Sequence, residues 1–349
     1  MVRTTKKVAV TLGAAALVGL LGQAASAADI SGAGATFPAP VYAKWAEAYK
    51  KETNIGLNYQ SIGSGGGIKQ IEASTVTFGA SDKPLELKEL DANGLVQWPM
   101  IIGGVVPTVN IEGVKPGELA LDGQTIADIF LGTITKWNDA RIKALNPSLA
   151  LPNQAIAPVY RSDGSGTTFL FATYLSTVSP KFKKEVGADA SVSWPTGLGA
   201  KGNEGVAGMI ARTGGAIGYV EYAYVKQNKL TYAKVKNRDG KVVAPESKAF
   251  QAAAASADWS KAPGYYLILV DQPGAESWPI TGASFILMHK QAKDADDALT
   301  ALKFFSWAYA KGDKIAEDLD YVPLPDNVVH MVEQTWSGIT AGGKPVWTK

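Results

Sequence analysis

Residues 32–62, GAGATFPAPVYAKWAEAYKKETNIGLNYQSI, decide the fold. A small-residue turn runs from Gly32 to Pro38, and its proline stands near a first helical turn, where a missing N–H costs little. Tyr42, Trp45, Ala46 and Tyr49 then recur at helical spacing, and Leu57-Asn58-Tyr59-Gln60-Ser61-Ile62 alternates like a strand. A hydrophobic period that switches from 3.6 to 2 within so short a stretch predicts a βαβ-like unit. Further strands are expected over 76–80, 101–110, 156–160, 217–220 and 285–289. The stretch 294–310 predicts a capped helix, acidic at its start, with Leu299, Leu302, Phe305 and Tyr309 on one face and Gly312 just past its end. Helices alternating with strands point to α/β layers.

Toward the N-terminus, Arg3, Lys6 and Lys7 precede an apolar run from Val8 to Leu21, followed by the small residues Ala25-Ser26-Ala27. The run is shorter than the roughly 20 residues a membrane span needs. Residues 1–27 therefore read as a cleaved secretory signal peptide, which implies an exported, periplasmic protein. The net charge of +2 falls to −1 for residues 28–349 once those three basic residues are set aside, so nucleic acid is not an expected partner. The chain has no cysteine, which excludes disulfides, thiolate metal sites, a cysteine nucleophile and an acyl anchor. A soluble monomer, not itself membrane-anchored, is the expectation.

The chain beyond the signal is longer than one hydrophobic core usually organises, and no linker divides it. Two lobes are expected, with the chain crossing between them on strands: residues 28–100 plus 277–349 in lobe I and residues 101–276 in lobe II.

The chemistry is expected in three turns where a strand gives way to a helix. They are Gly32 to Pro38, Gly63 to Gly67, and Arg161-Ser162-Asp163-Gly164-Ser165-Gly166-Thr167-Thr168. Each offers backbone N–H groups, hydroxyls and the positive end of a helix dipole. One such turn is ordinary, but three together, with an arginine, suggest an anion site. Asp82 follows a strand and could cap a helix or meet a ligand. Asp163 could cap its own helix or hold Arg161. Phosphate keeps a proton near neutral pH, so a carboxylate can accept a hydrogen bond from it.

A phosphatase is the enzymatic alternative. Asp163 stands two residues before Ser165, so the nucleophile-elbow pattern is not met. The two histidines, His289 and His330, are far apart in the sequence, and neither a P-loop nor a dinucleotide fingerprint occurs. No catalytic residue, metal or cofactor is expected. The nine tryptophans would suit a sugar site, yet Trp45 and Trp307 fall at helical core spacing.

The motifs G-A-G-A-T-F-P-A-P-V-Y, G-S-G-G-G-I-K-Q-I, F-G-A-S-D, D-G-S-G-T, G-A-I-G-Y-V-E-Y and D-L-D-Y-V-P-L-P occur in that order across nearly the whole chain. The series resembles the periplasmic phosphate-binding proteins of ABC-type phosphate-specific transport. That resemblance implies a two-lobed periplasmic-binding-protein fold of type II, each lobe a β-sheet flanked by helices, with inorganic phosphate in the cleft and membrane permease subunits as partners. It also implies roles: Thr36 and Phe37 donate from the first turn, Ser64 from the second, and Ser165, Gly166 and Thr167 from the third. Arg161 supplies charge with Asp163 orienting it, and Asp82 accepts the phosphate proton. Gly65, Lys83 and Tyr160 depart from the family pattern, and Lys83 could turn inward to neutralise Asp82. A different tetrahedral oxyanion is the alternative ligand.

Overall fold

The computed structural model describes residue 2 and residues 29–348, so the signal-peptide reading lies outside the described residues apart from position 2. The opening stretch forms β1 (Ile30–Gly34), α1 (Ala39–Thr53) and β2 (Leu57–Ser61), followed by α2 (Ser64–Glu72), β3 (Phe78–Ser81), α3 (Leu87–Ala92) and β4 (Leu95–Val109). Next come β5 (Ala120–Asp122), α4 (Gly123–Phe130), α5 (Ala140–Leu145), β6 (Ala157–Arg161), α6 (Gly166–Val178), α7 (Pro180–Glu185), β7 (Leu198–Ala200) and α8 (Gly202–Arg212). β8 (Ala216–Glu221), α9 (Tyr222–Gln227), β9 (Thr231–Tyr232), β10 (Lys234–Lys236), β11 (Val242–Val243) and α10 (Ser247–Ala254) complete the middle of the chain. The chain then returns through β12 (Thr281–His289) to α11 (Ala295–Lys311), α12 (Asp313–Glu317) and α13 (Asp326–Thr335).

Nine strands share one sheet in the order β2-β1-β3-β12-β4-β8-β6-β7, with β9 beside β4, while β11, β10 and β5 form a smaller one. β4 links the two lobes. Its residues Leu95 to Gly104 pair antiparallel with β12, and Val105 to Val109 pair antiparallel with β8. On one side β1 pairs parallel with β2 and β3, and on the other β6 pairs parallel with β7 and β8. The β4–β12 register shifts at Ser284/Phe285, where Phe285 faces Pro99. A proline has no N–H to give the ladder, so a bulge is where a long buried strand can hold one.

Aromatic side chains fill the cores on both sides of β4. Tyr59 stacks on Phe78, and Phe305 meets both Phe78 and Trp98 edge-on. Beyond β4, Tyr219 stacks on Phe171 with ring centroids 4.2 Å apart, and Phe130 packs edge-on against Phe171. The buried stripe of α11 is Ala298, Ala301, Leu302, Phe304, Phe305, Ala308 and Tyr309. Leu299 is only half-buried, because alanines carry the closest part of that helix face.

The glycine-rich second turn corrects the sequence reading. The turn is confined to Gly63, which has a φ of +89°, and Ser64 already opens α2, so Gly65, Gly66 and Gly67 lie inside the first helical turn. They serve close approach. A Cβ on Gly67 would stand 2.4 Å from the Gly34 Cα and 2.6 Å from the Ala33 carbonyl oxygen. Both are backbone atoms that cannot step aside, so Gly67→Ala should displace α2 and destabilise the protein by about 1–3 kcal/mol. Denaturant unfolding checks this, and an unchanged midpoint would refute the close packing of α2 on β1.

Candidate functional site

The exits of β1, β3, β6 and β7 meet between the two halves of the sheet. There the first turns of α1, α2, α6 and α8 approach one another, and each helix N-terminus brings N–H groups without an intrahelical partner and partial positive charge. The approach is close enough to need glycine: a Cβ on Gly166 would lie 2.5 Å from the Asp82 Cβ. Thr36, Phe37, Ser64, Asp82, Arg161, Ser165, Gly166 and Thr167 are all buried here. The Gly65 N–H donates to the Gly164 carbonyl (2.9 Å), which ties the second turn to the third.

The hydroxyls are committed as acceptors to groups behind them. Thr36 Oγ1 accepts from the Asn203 backbone N–H (3.1 Å) and from Asn203 Nδ2 (2.6 Å). Thr167 Oγ1 accepts from Asn203 Nδ2 (3.2 Å) and Arg161 Nη1 (3.4 Å). Ser64 Oγ accepts from the backbone N–H groups of Gly166 (3.0 Å) and Asp82 (3.2 Å), and Ser165 Oγ accepts from the Thr168 N–H (3.0 Å). A hydroxyl has two lone pairs and one proton, so Thr36 and Thr167, with both lone pairs filled, have only their protons left to offer.

Two ambiguous aspartates are resolved. Asp163 caps no helix, since Ser165 caps α6; it takes Arg161 in a bidentate grip, Nε to Oδ1 at 2.8 Å and Nη2 to Oδ2 at 2.6 Å. The Gly202 N–H also donates to Oδ1 (3.1 Å). Burial alone would raise the Asp163 carboxyl, but Arg161 together with the Gly202 and Asp163 backbone amides more than offsets it and holds it below the usual carboxylate range. Asp82 caps nothing either, because α3 begins five residues later behind Glu86. Its Oδ2 accepts from Ser64 Oγ (3.4 Å), while Oδ1 is buried without a partner at hydrogen-bond geometry, the Ser284 hydroxyl lying near the carboxyl but likewise unpaired. Burial pushes the Asp82 carboxyl up to about 7, against the opposing pull of the Ser284 hydroxyl, Arg161 and Ser64. Lys83 turns away from Asp82: its Nζ donates to Asp189 Oδ1 at 2.6 Å on the other side of the cleft.

Sequence reasoning missed Asn203, which donates to threonines from both halves of the molecule. Its Oδ1 accepts from the Glu221 N–H (2.9 Å), which turns Nδ2 toward the threonines. The signal was present in Gly197-Leu198-Gly199-Ala200-Lys201-Gly202, a fourth glycine-rich strand-to-helix turn of the same kind as the other three. The first turn is pinned from behind, with Tyr224 Oη donating to the Thr36 carbonyl (2.6 Å) and Tyr321 Oη to the Phe37 carbonyl (2.6 Å). His289 hydrogen-bonds Ser74 Oγ and the Ile71 carbonyl, outside this site. Among the described residues no cluster of histidine, aspartate and glutamate could hold a metal ion, and no helix is long and apolar enough to cross a membrane.

The PBP superfamily domain model matches residues 22–311. The phosphate-binding protein PstS of Haemophilus influenzae is 51% identical over 312 residues, covering 89% of this chain and 93% of that protein. PstS of Xylella fastidiosa is 52% identical over 308 residues, covering 88% of this chain and 85% of that one. A high-affinity periplasmic phosphate-binding protein solved with phosphate superposes with a TM-score of 0.72 at 21% identity, covering 91% of this chain and 97% of that one. At that identity the likeness shows the fold.

The raised Asp82 has a consequence for stability. Below about pH 7 the folded protein holds this proton, whereas the unfolded chain releases it near the ordinary value of about 3.9. Between those limits the folded state binds more protons, so stability falls as pH rises through the window and levels off above it. Asp82→Asn removes the titration. The ligand-free variant should gain thermal stability over the wild type as pH rises from about 5 to 7, on the order of a few kcal/mol at its widest, with a constant gap above. A gap independent of pH would refute the burial of Asp82 as the cause.

Proposed function

Because the chain belongs to the PstS family of phosphate-binding proteins within the PBP superfamily, we propose that it captures inorganic phosphate between its two lobes and delivers it to the permease subunits of an ABC-type importer. The observation that carries this reading is a buried carboxylate oxygen without a hydrogen-bond partner, Asp82 Oδ1, where the hydroxyls of Thr36 and Thr167 have only protons left to offer. A tetrahedral oxyanion that still bears one proton is the complement of such a lining. Thr36, Phe37, Ser165 and Thr167 donate from hydroxyls and first-turn amides, Ser64 offers its backbone amide because its hydroxyl already bonds Asp82, Gly166 lets the walls approach with its own amide given to Ser64 Oγ, and Arg161, held by Asp163, adds charge-assisted bonds. Asn203 joins them as a positioning residue.

The protein acts as a periplasmic monomer after loss of residues 1–27, without membrane anchor, and binds rather than catalyses. Residues 28–100 with 277–349 form one lobe and 101–276 the other. The exchange of partners along β4 supports a crossing on this strand, with the switch itself four residues later, between Gly104 and Val105. Ligands drawn from both lobes make closure and capture one event.

Discrimination follows from one proton. Phosphate and Asp82 share it as a hydrogen bond, whichever oxygen carries it. Sulfate brings none, so beside an ionised Asp82 it opposes lone pairs to lone pairs in a site closed to water, an arrangement far more costly than a poor fit.

Calorimetric titration tests the function: phosphate should bind, arsenate nearly as well, and sulfate weakly at pH well above 7, where Asp82 is ionised. Arg161→Ala should weaken phosphate binding by about ten- to a hundredfold, the worth of a charge-assisted bond. Wild-type affinity in that variant would remove Arg161 from the site. Sulfate adds a pH test, because only a protonated Asp82 can donate to it. Its affinity should rise about tenfold per unit as pH falls toward 7 and level off below. Asp82→Asn should bind sulfate independently of pH in this range. A sulfate affinity flat with pH in the wild type would dissociate selectivity from Asp82.

A further inference from the structure

Glu221 ends β8, caps α9 and is completely buried, yet the groups that bond its carboxyl in the described structure are the backbone amides of Ala223 and Tyr222 and the Tyr321 hydroxyl, with no cation among them. One oxygen makes two of these contacts: Oε2 accepts from the Ala223 N–H (2.9 Å) and lies 2.8 Å from Tyr321 Oη. Oε1 has no partner. Tyr321 Oη lies 2.6 Å from the Phe37 carbonyl oxygen as well.

Protons can be counted through this chain. A carbonyl oxygen only accepts, so the 2.6 Å contact at Phe37 requires the single phenolic proton of Tyr321. The contact between Tyr321 Oη and Glu221 Oε2 then needs a proton from the glutamate. An ionised Glu221 would leave one of the two contacts without a proton and would bury a charged oxygen, Oε1, with no partner, a cost of several kcal/mol. Burial pushes this carboxyl well above its usual range, and the titratable groups that bear on it, Asp82, Tyr224, Tyr222 and Tyr321, carry no positive charge to oppose that.

We propose that Glu221 is an un-ionised positioning residue: its Oε2–H donates to Tyr321 Oη, commits the tyrosine proton to the Phe37 carbonyl, and so fixes the turn that presents the first-turn donors to the anion. The inference rests on the phosphate-capture reading for its effect on affinity. Tyr224 holds the Thr36 carbonyl, which aims the Phe37 N–H of the same peptide unit the opposite way, and the Glu221–Tyr321 pair holds the next carbonyl along. The Glu221 backbone N–H meanwhile orients Asn203, so one residue sets donors on both walls of the site.

An amide cannot replace the acid. The atom at Oε2 must accept from Ala223 and donate to Tyr321, which a carboxylic hydroxyl does. The oxygen of a glutamine only accepts and its nitrogen only donates. Glu221→Gln, nearly identical in shape, should therefore lower phosphate affinity by about five- to tenfold. Tyr321→Phe should do the same, and the double variant should be no weaker than either single one. The wild-type minus Glu221→Gln infrared difference in heavy water at pH about 8, without phosphate, should show the carbonyl stretch of an un-ionised carboxylic acid. A carboxylate band in its place, or wild-type phosphate affinity in Glu221→Gln, overturns the proposal. The infrared arm involves no ligand, so a wild type that fails to bind phosphate would sink the capture reading while leaving this band to be judged by itself.

Discussion

One carboxylate taken out of water and left facing the amide ends of helices sets the terms for the rest of this molecule. Asp82 cannot be placed there cheaply: burial raises it toward neutrality, and one of its oxygens has no partner. The helix ends and hydroxyls nearest Asp82 bring donors, among them its own N–H to Ser64 Oγ, the Ser64 hydroxyl and the Arg161 charge.

Such a shell works only if its hydroxyls cannot turn round. A free serine or threonine would accept as readily as donate and would discriminate little between anions. Here Asn203, Arg161 and the helix amides occupy the lone pairs from behind. Arg161 is itself held at two points by Asp163, which in turn takes the Gly202 amide. The direction in which these hydroxyls can bond is thus set by the layer behind them.

The sheet makes this layering possible because it is continuous across both lobes. β4 carries two sets of neighbours on one strand, and the turns it brings together come from segments more than a hundred residues apart. The packed aromatic cores on either side of β4 hold each wall of the cleft in shape.

Much of this was legible in the chain. The alternation of periods announced α/β layers, the three glycine-rich turns marked three of the four helix ends, and Asp82, Arg161 and Asp163 stood out as charges placed where turns begin. Local pattern carries that information because helix starts and strand ends are decided by neighbours in sequence. It could not say whether Asp82 and Asp163 cap helices or face a ligand, nor which way Lys83 turns, nor that Gly65 to Gly67 lie inside a helix instead of a loop. Asn203 and Glu221 went unnoticed because an asparagine at a helix start and a glutamate at a strand end are commonplace until their partners are known. Sequence by itself determined which residues could donate, accept or carry charge; tertiary structure alone decided which lone pairs and protons were already spent, because that depends on atoms from opposite lobes lying within three ångströms or so of one another.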